Sequence, residues 1–313
     1  MKLCRSIHIA GSSRRSYVGL QKIFLDFCKE FGLDPLLLSE DELSLAVAHF
    51  SMGHTVNSVG GYMSAVQDMF NTAGAGALPR GPKFLLFVRG LKRLLGPADE
   101  VQRTRALSAD EVGSVLGALN KNDPADCCYG AQLCIAFFLA LRTEDHTDGR
   151  LRWGDIYPQA DGSIEFLLPP GKSVRRYRRV AIAPKAGDFC ALTWLARMIK
   201  FLPPSALRSQ SPVFVHFAHD KKGQPHFPPL SRSRFIARLK RSVKEVLHFS
   251  PALYAGYSLR RGGVTEMLSQ GVPIPIIKRH VGWCPTSDAV MAYYDHSGRI
   301  QMRIPTMAMG RGA

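Results

Sequence analysis

The 313 residues, 46% hydrophobic and 21% charged, suffice for one large or two ordinary domains with buried cores, which excludes disorder as the dominant state. Lys plus Arg number 41 against 25 Asp plus Glu, a formal net charge of +16, and residues 101–313 hold 30 of the basic and 16 of the acidic side chains. A segment that basic repels itself unless a polyanion is its partner, which puts nucleic acid first and an anionic membrane surface second. No apolar stretch approaches eighteen residues, so no spanning helix is expected, and Arg5 and His8 break any signal-peptide core. Seven scattered cysteines without Cys-x-x-Cys spacing or a paired histidine motif read as reduced intracellular thiols, neither disulfides nor zinc ligands.

Residues 16–72 read as helices. Phe24, Phe27, Cys28 and Phe31 recur at helical spacing before Gly32-Leu33-Asp34-Pro35 turns the chain. Ser39 with Glu40, Asp41 and Glu42 is an N-cap followed by an acidic first turn. Tyr62, Ala65, Val66, Met69 and Phe70 make another apolar face, and Phe84 to Leu95 predicts a further helix. Gly96-Pro97-Ala98-Asp99-Glu100 is the candidate linker.

Beyond it, Ser108 and Glu111 form a capping box, and Cys127 to Leu141 predicts a buried apolar helix closed by Arg142. From Trp153 to Ile182 the apolar period changes to two, predicting strands over 163–168 and 177–182 joined by a basic turn around Pro170-Gly171-Lys172. Helices return from Ser231. The expected fold class is mainly α with a small antiparallel β-sheet, in two domains, 1–100 and 101–313.

Three segments hold clusters able to do chemistry. Arg142 ends the buried helix, where it must be paired or await an anion; a salt bridge to Glu144 or Asp145 is the simpler alternative. Lys172, Arg175, Arg176, Arg178 and Arg179 crowd one hairpin, a ribbon suited to a DNA groove or backbone. Tyr257-Ser258-Leu259-Arg260-Arg261-Gly262-Gly263 is followed by Gly282-Trp283 and by Ser287-Asp288-Ala289-Val290 before Tyr293 and Tyr294. A basic helix with Arg234, Arg238 and Arg241, lacking an acid before Glu245, is expected to track phosphates. There is no nucleophile elbow, no Walker or dinucleotide glycine signature and no metal-ligand set, so neither cofactor nor metal is expected.

Together and in this order these segments resemble the tyrosine recombinase (phage integrase) family, over nearly the whole chain. Thr55 to Val66 is similar to the family's core-binding helix, in a SAM-like N-terminal domain, and Arg105 to Glu111 to the start of its catalytic domain. Leu-Arg-Arg-Gly-Gly and Ser-Asp-Ala-Val are similar to strings in recombinases of eukaryotic mobile elements. The resemblance implies a two-domain clamp on double-stranded DNA, a homotetramer on its substrate, acting inside the cell wherever DNA is held. It implies cleavage and rejoining through a 3′-phosphotyrosine, for integration, excision or resolution, without metal or nucleotide.

In that scheme Arg142 and Arg260 grip the non-bridging oxygens, since a guanidinium is always charged and forks onto phosphate. Lys172 protonates the leaving oxygen. Trp283 packs on the site and offers its indole N–H. Tyr293 follows the Ser-Asp-Ala-Val register as nucleophile, while Tyr294-Asp295-His296 fits the family's Tyr-x-His ending, so both tyrosines remain candidates. Tyr257 stands where the family has histidine; a phenol with an ordinary pKa near 10 donates a hydrogen bond but is a poor base. His280 and His296 lie near enough in sequence to assist. Either Tyr257 works as a donor, or the chain is a recombinase-derived DNA-binding protein with weakened cleavage.

Overall fold

A computed structural model describes residues 11–96, 104–170, 176–291 and 293. The chain packs as two compact units, Met1–Gln102 and Arg103–Ala313.

In the N-terminal unit, α1 (Gly11–Glu30), α2 (Glu40–Gly53), α3 (Val59–Ala73) and α4 (Pro82–Leu95) surround one core. Phe24, Leu43, Phe50, Tyr62 and Phe70 fill it, with the Tyr62 ring stacked on Phe50 at 4.2 Å. Ser39 caps α2 through the reciprocal bonds with Glu42 that its spacing predicts. Met69 of the predicted apolar face is only half-buried, and Phe31 falls past the end of α1 and is exposed.

The C-terminal unit is built around α6 (Pro124–Phe138), preceded by α5 (Ala109–Gly117), which opens on the Ser108–Glu111 capping box. Every residue from Cys127 to Phe137 is buried, because α7 (Ala191–Ile199) lays Trp194 against Gly130 on one side and α9 (Tyr257–Ser269) covers another. Strands β1 (Ile156–Pro158), β2 (Ile164–Leu168) and β3 (Arg178–Ile182) form an antiparallel sheet in that order. Phe166 pairs with Val180, and with Leu168 and Ile182 they supply the buried face. A two-stranded hairpin, β4 (Ala218–His219) with β5 (Pro225–His226), leads into α8 (Arg232–Glu245). Helix α8 buries Phe235, Leu239 and Val243 at fourfold spacing. Helix α10 (Ile274–Val281) ends on Gly282 at φ +70. All described cysteines are free thiols, and no helix among the described residues is long and apolar enough to cross a membrane.

The apolar helix is shorter than the sequence suggests. It stops at Phe138 because Ala140 takes φ +45 and the Leu141 N–H turns back to the Ala136 carbonyl, a left-handed C-cap. Arg142 therefore sits in extended backbone four residues past the helix, opening a 3-10 turn. Strand β1 carries too few residues for its periodicity to be legible, whereas helix α7 went unread although Ala191, Trp194, Leu195 and Met198 recur at helical spacing.

The glycine pair after Arg261 has a steric cause. A Cβ on Gly262 would fall 1.8 Å from the Leu107 carbonyl oxygen, and one on Gly263 2.1 Å from that of Phe137. Both obstacles are backbone, so α9 approaches α6 and the segment leading into α5 this closely only without side chains there. Gly263→Ala is expected to cost about 1–3 kcal/mol, as overpacking does, read as a lowered midpoint in chemical unfolding; an unchanged midpoint would mean that α9 moves freely.

Candidate active site

The first turn of α9 presents Tyr257, 40% exposed, and one turn later Arg260, with no exposed surface at all. Arg260 donates to the carbonyl of Ala140 at 2.7 Å and to that of Val281 at 3.1 Å, joining the end of α6 to the end of α10. Its Nε–H is buried without a partner among the described residues. The glycine-ended turn after α10 folds Trp283 over this guanidinium, 5.3 Å from the ring centroid. Tyr293, 4% exposed, packs against Trp283 at 5.2 Å, and its hydroxyl is hydrogen-bonded to that of Tyr257. A short 3-10 turn, Asp288–Val290, capped by Ser287, precedes it.

Arg142 is half-buried, and its backbone N–H donates to the Asp145 carboxylate at 3.0 Å. These groups act on one another's charge. Burial lowers the Arg260 pKa, Arg142 lowers it further, and Tyr293, Tyr257 and Asp145 oppose the shift. Burial pushes the Tyr293 phenol up, the Tyr257 hydrogen bond adds to it, and the Arg260 cation pulls it back. One buried and one half-buried arginine, opposed among the described residues by the Asp145 carboxylate, suit an anion.

Sequence positions 142, 257, 260, 283 and 293 are thus brought together, and the described tyrosine over Arg260 is Tyr293. Lys172 and Arg175 lie outside the described residues, as do Tyr294 and His296. His280 is a strut rather than a helper: its ring Nε2 meets the Phe138 carbonyl at 2.9 Å, and burial lowers its pKa.

Two residues expected on the DNA-tracking surface make contacts within the protein, although Arg178 still lines the basic cleft described below. Arg178 points inward, on the same face of β3 as Val180 and Ile182, and its guanidinium donates to the His280 carbonyl. Burial pulls its pKa down to about 10, with Asp145 opposing and Arg260 and Arg142 adding to the shift. It is a member of the arginine cluster, and strand alternation carried that signal. Arg238 is spent within the protein: it pairs with Asp126, donates to the Ala125 carbonyl at 2.8 Å and lies 4.4 Å over the Tyr129 ring. On the same helix Arg234 and Arg241 are exposed. Arg179 is exposed but bridges to Glu165 at 2.7 Å, and Arg176 is exposed.

Between β3 and α10 runs a cleft of about 880 Å³. Arg176, Arg178, Arg179, Lys278 and Arg279 line it with Tyr177 and Trp283, and no acidic residue among the described ones does. Sequence reading passed over Lys278 and Arg279, although two cations in the last turn of a helix before a glycine were visible there.

No protein-family model matches the chain, and no curated protein does. Solved structures do. The Tn1549 transposon integrase in complex with circular intermediate DNA superposes with a TM-score of 0.61 at 13% identity, covering 96% of each chain. A lambda integrase dimer bound to a COC′ core site gives 0.59 at 15%, over 95% of this chain and 93% of that one. The XerH site-specific recombinase bound to palindromic difH substrate gives 0.57 at 14%, over 87% and 73%. The fold is that of the tyrosine recombinases. Within that fold, Tyr257, Trp283 and Tyr293 of the residues singled out by the sequence motifs lie in contact around Arg260.

Proposed function

We propose that this protein is a site-specific DNA recombinase that cuts and rejoins strands through a 3′-phosphotyrosine on Tyr293. The observation that carries the reading is the phenol of Tyr293 held by Tyr257 and Trp283 above the buried Arg260, within the recombinase fold. A phenol attacking phosphorus stores the bond energy in the phosphotyrosine, so religation needs no nucleotide. Arg260 and Arg142 stabilise the charge that develops on the non-bridging oxygens, and the unpartnered Nε–H of Arg260 is one donor for them. Trp283 excludes water from that guanidinium. By resemblance, Lys172 supplies the proton to the leaving 5′-oxygen.

Residues 1–100 serve as the core-binding domain and 101–313 as the catalytic domain of a clamp. The basic cleft, with Arg234 and Arg241 on α8, follows the phosphate backbone, where each contact releases counterions and makes binding fall with salt. The three solved structures described above are recombinases or integrases bound to DNA, which supports DNA as the partner, and one of them, the Tn1549 transposon integrase, supports a mobile element as the setting. A tetramer on the substrate completes the reading.

The test is incubation with nicked suicide duplexes, in which the strand downstream of cleavage diffuses away. A covalent protein–DNA adduct resistant to denaturant and removed by protease is the expected product. Tight, salt-sensitive binding with no adduct on any duplex drawn from the chain's own genomic surroundings would leave a DNA-binding protein without strand cleavage.

A further inference from the structure

We propose that Arg178 is a positioning residue for strand cleavage: from the start of β3 it holds the turn that keeps Trp283 over the Arg260 guanidinium. The proposal rests on the reading of Arg260 as a phosphate ligand and adds the device that keeps its cover in place.

A helix leaves its last four carbonyls without intrahelical donors. At the end of α10 these belong to Lys278, Arg279, His280 and Val281. The chain itself serves the first two. The Trp283 N–H donates to the Lys278 carbonyl at 2.8 Å, and the Gly282 N–H to that of Arg279 at 3.3 Å. Arginine side chains serve the other two: Arg260 donates to the Val281 carbonyl at 3.1 Å, and Arg178 to the His280 carbonyl. Two cations at a helix C-terminus also complement its dipole. One of them belongs to the candidate phosphate site. The other comes from the sheet, where Arg178 opposes Leu168 at the first position of β3.

Arg178 also packs against the turn. A Cβ on Gly282 would meet its Nε at 3.0 Å, its Cδ at 3.1 Å and its Cζ at 3.3 Å, so the side chain runs along the bare α-carbon of that glycine. The next residue is Trp283, whose ring lies 5.3 Å from the Arg260 guanidinium and 5.2 Å from the Tyr293 ring. Two adjacent carbonyls of one turn are therefore gripped by two arginines, and the indole leaves from between them. Without Arg178 the His280 carbonyl loses this donor and space opens beside Gly282. The turn can then shift and carry the indole off Arg260, which lets water in where charge must be stabilised. Arg178 also lines the basic cleft, where a phosphate could meet it directly. The two roles separate in kinetics.

Single-turnover adduct formation on suicide duplexes, followed across DNA concentration, gives a saturating rate and a half-saturating concentration. Arg178→Met keeps an unbranched stem and removes both donor and charge. It is expected to slow the saturating rate about tenfold or more, as a small misplacement of an active-site group does. The half-saturating concentration is expected to stay within about twofold of wild type, since the loss falls on the transition state. In a Trp283→Ala background the same substitution is expected to cost no more than about twofold further, because the indole it holds is already gone. Arg178→Lys, which keeps a charged donor, is expected to recover part of the rate, and it carries the comparison if Arg178→Met fails to fold. The proposal is overturned if the saturating rate is that of wild type, or if the Arg178 and Trp283 deficits multiply as independent ones do. It is overturned equally if the loss lies in the half-saturating concentration with a shallower salt dependence, which makes Arg178 a direct phosphate contact. Each of these leaves the recombinase reading standing, whereas the absence of any wild-type adduct defeats that reading and the role of Arg178 with it.

Discussion

Tyr293→Phe is expected to abolish the covalent adduct on suicide duplexes while leaving DNA affinity within about twofold of wild type. The substitution removes one oxygen and keeps the ring that packs on Trp283. Its structural cost is the lost hydrogen bond to Tyr257, typically about 1 kcal/mol, too little to unfold a domain of this size. Loss of adduct without loss of binding would then be loss of the nucleophile. The neighbouring tyrosine supplies the control. Adjacent helical positions point about 100° apart, so only one of the two can face the phosphate. Should Tyr293→Phe still form adduct and Tyr294→Phe fail to, the nucleophile is Tyr294 and the register read from Ser287 to Val290 is off by one.

The arginines are expected to separate into two kinds of defect. Arg142→Ala should slow cleavage about a hundredfold or more, the usual consequence of removing a group that stabilises transition-state charge, with little change in melting temperature, because Arg142 is half-buried in an extended turn. Arg260→Ala should abolish cleavage and also destabilise the C-terminal unit, since the carbonyls of Ala140 and Val281 lose their donor and the side chain leaves a void under Trp283. Arg260→Lys keeps the charge without the fork and should retain more stability than activity. Cleavage and binding falling in equal measure in Arg142→Ala would make that residue a structural salt-bridge partner only.

Much of the scaffold was legible in the sequence because its signals are local. The capping boxes at Ser39 and Ser108, the apolar spacing of Phe24 and Phe27, and the alternation that makes β2 and β3 all state their structure within a few residues. What escaped was set at a distance. The commitment of Arg238 to Asp126 joins residues 112 apart, and a basic helix read alone gives no hint of it. Arg178 differs: its inward direction follows from the same alternation that placed Val180 and Ile182, and it still lines the basic cleft with its neighbouring cations. The end of α6 at Ala140 could not be read, since a left-handed alanine carries no glycine to announce it. The pairing of Tyr257 with Tyr293 spans 36 residues and depends on where α9 and the turn after α10 happen to meet.

The complete burial of Arg260 bears on how such a protein decays. Selection for a stable C-terminal unit and selection for strand cleavage act on the same guanidinium, so a lineage released from cutting DNA but still using the folded chain would keep that arginine. The packed glycines at 262 and 263 are tied to it in the same way. Erosion would show first at groups the fold does not require, such as the Tyr293 hydroxyl. On the proposed reading, a descendant that retains Arg260 need not cut, and Arg142 and the Tyr293 hydroxyl are the groups whose loss would mark that change.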